Sequence, residues 1–264
     1  MTYKKFLIVA SKQDKAGMNM VTNLAQFGNF DFHIVEKSAV YTENLNSEKI
    51  NQYDFVIFAS THKSSSNEKT LSVHAPGNWR SADLGGVPGK VCKSSAWFMK
   101  QMFEKVNENM LHYDLKGYQL TMEATHHGPL LDVPCVFVEI GPSETEWVDR
   151  RAGFIMAKSI SETIKSFKED PYNEIVIAIG GPHYCPSFNK IQLRSNIAIS
   201  HVISQYAFPL TEEMVKEAIE KTEEEVDFIL LDWKGLGSAE QRDKMIEIFD
   251  KLYIRYKKTS DIDK

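Results

Sequence analysis

Cysteine is scarce in this chain, with three residues among 264, at Cys92, Cys135 and Cys185. They lie far apart and form no C-x-x-C pair, which excludes a disulfide framework and a cysteine-built zinc knuckle. Long apolar runs are missing as well. Nothing approaches the roughly 18 apolar residues that a membrane-spanning helix needs. The run FLIVA at 6–10, behind a Lys-Lys pair, is too short for the apolar region of a secretory signal and reads as a first strand in a cytoplasmic protein. There is no excess of positive charge either: 31 Lys+Arg against 36 Asp+Glu leave a net charge of -5. The surface as a whole therefore does not attract nucleic acid, DNA is not an expected partner, and a polyanion would have to meet a local patch. Several catalytic templates are also absent. Lys90 is followed by Val91 rather than the Ser or Thr of a P-loop, and Glu240 stands where a dinucleotide fingerprint starting at Gly235 needs its third glycine. No G-x-S-x-G elbow and no H-E-x-x-H pair occurs.

What is present is an ordinary globular composition, 42% hydrophobic and 25% charged. The length suits one α/β unit over 1–264, or two intimately packed discontinuous lobes. Short apolar runs at 6–10, 54–60, 118–124, 135–140, 174–180 and 226–231 read as buried strands. Helical patterns lie between them, at 94–112 with Trp97, Met102, Phe103, Val106 and Met110 near helical spacing, and at 143–167, 211–221 and 238–256. Ser143 with Glu146, and Ser238 with Gln241, have capping-box spacing. The segment 63–69, KSSSNEK, reads as a low-complexity loop. Strands alternating with helices imply a largely parallel or mixed sheet covered on both faces.

Most of the apolar runs lead into a chemically capable segment. FLIVA leads to SKQDKAG, FVIFAS to THKSSS, YQLTMEA to THHGP, CVFVEIG to PSE and IVIAIG to GPHYCP. In open α/β sheets ligands bind beyond the carboxyl ends of the strands, so these segments mark a binding rim. His74, His126, His127 and His183 lie in segments shaped by Gly and Pro, where they can supply metal ligands or a general base. An adjacent pair such as His126-His127 is equally at home as structural residues. In an extended backbone the two point to opposite faces, so one is expected at the rim and the other packed inside. Glu139 interrupts an apolar strand and needs a partner if buried, either a metal or histidine or the start of the following helix. Glu123 falls on the face of Gln119 and Thr121, which reads as partly solvated. Lys12, Lys15, Lys63, Lys69 and Lys93 put positive charge on loops near His62 and His74, a footprint for a phosphate backbone, although surface lysines are commonly only solvated.

Taken together, SKQDKAGMN, SVHAPGN, MEATHHGP, FVEIG and GGPHY resemble, in order and approximate spacing, the archaeal and plant type of D-aminoacyl-tRNA deacylase. The likeness runs from about Phe6 to Leu231 and leaves the last helical segment unmatched. It implies a three-layer α/β/α sandwich with a mixed sheet, similar to phosphorylase-like and peptidyl-tRNA hydrolases. It also implies hydrolysis of the ester between a D-amino acid and the tRNA 3′ end, zinc dependence and a monomer. His74, His126, His127, Glu139 and His183 then form the pool of metal ligands and base, and the five lysines become contacts to the tRNA acceptor end. Two other readings remain open from the residues alone: a zinc-dependent peptidase or amidohydrolase without nucleic acid, and a non-catalytic tRNA-binding module.

Overall fold

The computed structural model describes residues 3–43 and 50–262. Among them a six-stranded sheet holds β1 (Phe6–Ser11), β2 (Asp31–Val35), β3 (Phe55–Thr61), β4 (Lys69–His74), β5 (Tyr118–Met122) and β6 (Cys135–Gly141), in the order β2-β1-β3-β6-β4-β5. The first four in that order are parallel, while β4 runs antiparallel to β6 and pairs in parallel with β5. A second sheet, wholly parallel, holds β7 (Glu174–Ile179), β8 (Ile197–Ile203), β9 (Phe228–Leu231) and β10 (Tyr256–Lys258), in the order β10-β9-β7-β8. The helices are α1 (Lys15–Leu24), α2 (Ala96–His112), α3 (Glu144–Trp147), α4 (Arg150–Ser166), α5 (Pro186–Arg194), α6 (Glu212–Glu220), α7 (Ala239–Lys251) and α8 (Thr259–Ile262). No helix among the described residues is long and apolar enough to cross a membrane.

The expected α/β fold with a mixed sheet is present, and helices lie on both faces of the second sheet. Alternate residues of the first sheet, including Ile8, Ile57, Val73 and Val138, bury against helices in a core that also takes Val176, Ala178 and Ile199 from the second sheet. Helix α2 packs on β8 and on β4, and so lies between the sheets. The far face of the second sheet, with Ile177, Ile179, Ile229 and Leu231, meets Val215 of α6 and Met245 and Phe249 of α7. Each fully buried Ile, Leu or Phe stabilises the fold by about 1.5–3 kcal/mol relative to exposure.

Local sequence explains most of the helix starts. Asp14 caps α1 by accepting from the Gly17 N–H (2.7 Å), and its other carboxylate oxygen accepts from Thr61 N–H (2.8 Å) and the Ser60 hydroxyl (2.9 Å). A side chain at Gly17 would run into the Ala59 carbonyl, so glycine is what lets α1 lie against β3. Ser95 caps α2, and the expected capping box of Ser238 and Gln241 opens α7. Three expectations need correction. The single helix over 143–167 is two, because Asp149 leaves helical geometry and caps α4, while Ser143 donates to the Glu146 carboxylate instead of capping backbone. The last helix stops at Lys251, and Tyr256 belongs to β10. The residues around His74 are not all turn, since His74 ends β4, which begins at Lys69.

The other face of the six-stranded sheet is covered by loops, with Cys92, Leu131 and Val133 over Leu7, Val9, Phe58 and Phe137. Strand alternation continues that face into chemistry. Ser60 lies opposite Glu139, Ser72 lies opposite Glu139 from the other side, and His74 lies opposite Phe137. The rings of Phe58 and Phe137 stack at 4.5 Å, and those of Phe137 and His74 at 5.5 Å. The polar cluster thus stands on an aromatic floor, on the sheet face as well as at the carboxyl rim.

Candidate active site

All five side chains of the expected pool converge: His74 from β4, Glu139 from β6, His126 and His127 from the loop after β5, and His183 from the loop after β7. Backbone bonds fix those loops. Ala124 N–H donates to the His183 carbonyl (2.8 Å), Thr125 N–H to the Val202 carbonyl (3.0 Å), and Gly77 N–H to the His127 carbonyl (2.7 Å). The segment carrying the histidine pair is therefore stitched to the second sheet on one side and to the turn after β4 on the other.

The expected division between His126 and His127 does not hold. His127 takes a left-handed backbone (φ 47°), which turns the chain and brings both rings to one cluster. Such a conformation costs a non-glycine residue roughly 1–3 kcal/mol and persists only where the surroundings impose it. His74 is 4.4 Å from the His126 ring and 4.9 Å from the His127 ring, centroid to centroid. The two still differ in access, His127 being buried and His126 partly exposed.

Two residues outside the pool complete the cluster. Glu123, expected on a partly solvated face, is buried, because Tyr184 and Asn189 close over the end of β5. The Thr121 hydroxyl donates to the Tyr184 carbonyl (2.6 Å), and Met122 N–H to the Asn189 side chain (2.7 Å). Its Oε2 accepts from His183 Nε2 at 2.9 Å, and its Oε1 lies 3.1 Å from His62 Nδ1. His62 follows β3 directly and also lies 3.6 Å from Glu139, while its Nε2 donates to the Tyr184 hydroxyl at 2.7 Å. Trp147 donates to the His62 carbonyl (3.0 Å). The signal for His62 was in the sequence, since FVIFAS passes into THK just as the other strands pass into their histidines. Glu139 is not a helix cap. It faces His62, His74 (3.7 Å) and His127 (3.8 Å).

Electrostatics follow from this burial. Burial pushes the His62 imidazole down, but Glu123 and Glu139 outweigh it and hold its pKa up to about 11. His126 is pushed well below the usual histidine value by burial and by the neighbouring His127 and His74. Burial opposes the charge of both carboxylates, yet the imidazoles around them hold Glu123 and Glu139 well below the usual carboxylate range.

The donor set fits zinc. His74 Nδ1 faces the Ala75 carbonyl (3.2 Å), His126 Nδ1 the Ala124 carbonyl (2.8 Å) and His127 Nδ1 the Gly128 carbonyl (2.6 Å). A proton on each Nδ1 leaves three Nε2 lone pairs, and ligand atoms of these residues lie within 4.8 Å of one another. His74 Nε2 is buried and has no hydrogen-bond partner among the described residues, an orphan of the kind that a cation would satisfy.

A cavity of about 630 Å³ opens over the cluster, bounded by His62, His126, His127, Glu139, His183 and the apolar Val40, Leu84 and Trp147. Lys15 and Lys63 stand on its wall. The other three expected lysines do not line it. Lys12 bonds Glu36, Lys69 meets Glu146 (3.1 Å) at the start of β4, and Lys93 meets Glu223 (3.4 Å). Lys15 is bonded to Glu144 as well. In an acidic chain most of these lysines find a carboxylate close by, which the sequence pattern did not reveal.

Comparison with known proteins places this arrangement. The family model described as D-aminoacyl-tRNA deacylase matches residues 49–257. A protein of Methanocaldococcus jannaschii named D-aminoacyl-tRNA deacylase is 35% identical over 262 residues, covering 96% of this chain and 99% of that one. One of the same name from Pyrococcus furiosus is 34% identical, covering 95% and 98%. A crystal structure of a conserved protein of unknown function superposes with a TM-score of 0.89 at 28% identity, over 99% of this chain and 98% of that chain.

Proposed function

The chain belongs to the D-aminoacyl-tRNA deacylase family, and from that premise we propose that it hydrolyses the ester joining a D-amino acid to the tRNA 3′ end. The products are the free D-amino acid and tRNA, which makes the reaction a chirality proofreading step in translation. The observation that carries the reading is the His74, His126, His127 group, whose ligand atoms lie within 4.8 Å of one another and of which His126 and His127 line a cavity large enough for an aminoacyl group. The peptidase or amidohydrolase alternative has no support among relatives that match nearly the whole chain under the deacylase name. Zinc as cofactor, the acceptor end as the bound region of tRNA and the cytoplasm as the site of action belong to the same proposal. A monomeric working unit is part of the same proposal.

An aminoacyl ester is already activated, so the task is to deprotonate water and stabilise the oxyanion. Zinc held by His74, His126 and His127 would supply a Lewis acid that polarises the ester carbonyl and acidifies water. His183 is the base: its Nε2 is committed to Glu123, which leaves the Nδ1 lone pair for a proton from water in the cavity that His183 lines. Glu123 orients the ring and balances the charge that His183 gains, as the carboxylate does in a nucleophilic triad. Glu139 stands on the Nε2 side of His74 (3.7 Å) and His127 (3.8 Å), where its charge would face the same ion, and Trp147 fixes the backbone of His62. Lys63, and Lys15 once it leaves Glu144, are placed to meet phosphates of the acceptor end.

The test is hydrolysis of D-Tyr-tRNA and L-Tyr-tRNA by the purified protein. Release of D-tyrosine with L-Tyr-tRNA spared supports the proposal. Equal rates on both would make the protein a general esterase and overturn the chiral reading.

A further inference from the structure

A second cavity, of about 200 Å³, adjoins the first, and His126 and His183 line both. It lies between the turn after β4 and the segment after β8. Its outer wall is Tyr206, 70% exposed on the short 3-10 turn Gln205–Ala207. Among the described residues Tyr206 has no aromatic neighbour and no hydrogen-bond partner. The turn that carries it is nevertheless fixed. Arg80 donates to the carbonyls of Ala207 (2.7 Å) and Pro209 (2.6 Å), and Gln205 N–H donates to the Gly181 carbonyl (3.0 Å). Trp79 beneath it is held through Nε1 to the Val202 carbonyl (3.2 Å). A rigid backbone thus presents a bare phenol face next to two site histidines.

An ester has two arms, and here two cavities meet at the residues that flank the reaction. The larger one, walled by Val40, Leu84 and Trp147, has the room and the apolar surface for an aminoacyl side chain. The smaller and shallower one offers what a planar base uses, an aromatic face on a fixed support, with Arg80 alongside. Resting on the deacylase reading above, we infer that the terminal adenine of the tRNA binds in the smaller cavity, stacked on Tyr206, so that the ribose ester spans the His126–His183 divide. Stacking on an aromatic side chain is sequence-tolerant and is lost on truncation to alanine. An effect of about 5- to 150-fold per base is expected.

Two variants and two substrates test this. Tyr206→Ala and Tyr206→Phe are assayed on D-Tyr-tRNA with its normal terminal adenosine, and on D-Tyr-tRNA whose terminal base has been removed. Tyr206→Ala is expected to lower kcat/KM by about 5- to 150-fold on the normal substrate, chiefly through KM, and by less than about twofold on the abasic one. Tyr206→Phe should match wild type on both. Equal losses on the two substrates, or no loss on either, would overturn the inference. A loss in Tyr206→Phe as large as in Tyr206→Ala would assign the effect to the hydroxyl and overturn it too. The Kd of uncharged tRNA with and without its last adenosine separates this idea from the hydrolytic one. A preference for the adenosine that disappears in Tyr206→Ala supports stacking even for a protein that hydrolysed nothing, and no preference in wild type contradicts it.

Discussion

Replacing Glu123 by glutamine removes one charge from the centre of the cluster while keeping its volume and an acceptor oxygen. Glu123 is buried, 2.9 Å from His183 Nε2 and 3.1 Å from His62 Nδ1. When His183 takes a proton from water, the carboxylate faces a new imidazolium at that distance. Two unit charges 2.9 Å apart interact by roughly 6 kcal/mol at an effective dielectric of about 20, and water at the partly exposed His183 lowers this figure. A loss of about 10²–10⁴-fold in turnover is therefore expected, the usual range for a displaced acid–base group. His183→Asn should lose a similar amount, and because the two residues act as one unit the double variant should be less than about fivefold worse than either single. The assay is single-turnover deacylation of D-Tyr-tRNA, with bound zinc and urea midpoint measured on each protein. Glu123→Gln within about threefold of wild type would refute the assignment. So would fully multiplicative losses in the double variant, or loss of zinc in proportion to activity.

His126→Ala and His127→Ala should each lose bound zinc and lower turnover at least about 10²-fold, because the positive φ at His127 brings both rings to His74. Normal zinc content in either variant would remove that residue from the ligand set. His201 offers a check on the fold behind the smaller cavity. Buried beside Thr125 and Trp79, its pKa is lowered by burial to about 4. A histidine neutral in the fold stabilises it fully above the unfolded value near 6.5, and that contribution fades as pH falls toward 4. Between pH 7 and pH 5 the wild type should lose about 2 kcal/mol more stability than His201→Gln in urea titrations, and parallel pH profiles would refute this. For tRNA binding, the ion pairs of Lys12, Lys69 and Lys93 reduce the number of lysines poised for phosphate. Lys63→Ala should weaken binding and lower the magnitude of the log–log salt slope by about 1, and an unchanged slope would remove Lys63 from the interface.

Much of the architecture was legible because buried parallel strands are runs of Val, Ile, Leu and Phe. Strands β1, β3, β6, β7 and β9 all carry such runs. The strands that escaped notice have physical reasons. In β4, Thr70, Ser72 and His74 alternate with Leu71 and Val73, and the polar set faces the loop-covered side of the sheet, so the strand reads as a continuation of the serine-rich loop. The run of β8 is broken by Ser200-His201, beside a register shift against β7. The short β2 and β10 carry exposed and charged residues. At the site, His126, His127 and His183 announced themselves through their place after strands and beside glycines and prolines, His74 through the proline and glycine that follow it, and Glu139 as a carboxylate inside an apolar strand. The burial of Glu123 did not, because it depends on Tyr184 and Asn189, some sixty residues later in the chain. Nor did local pattern show that His127 leaves the extended conformation, which decides that the pair acts on one side.

The most direct test of the account is single-turnover cleavage of D-Tyr-tRNA and L-Tyr-tRNA by one protein preparation, first stripped of metal by a chelator and then given back zinc. The stripped protein is expected to stay folded by circular dichroism but to cleave neither substrate. Zinc should then restore cleavage of D-Tyr-tRNA alone in wild type, and fail to do so in His74→Ala. Full activity after stripping, or equal cleavage of the two enantiomers after zinc is returned, would contradict it.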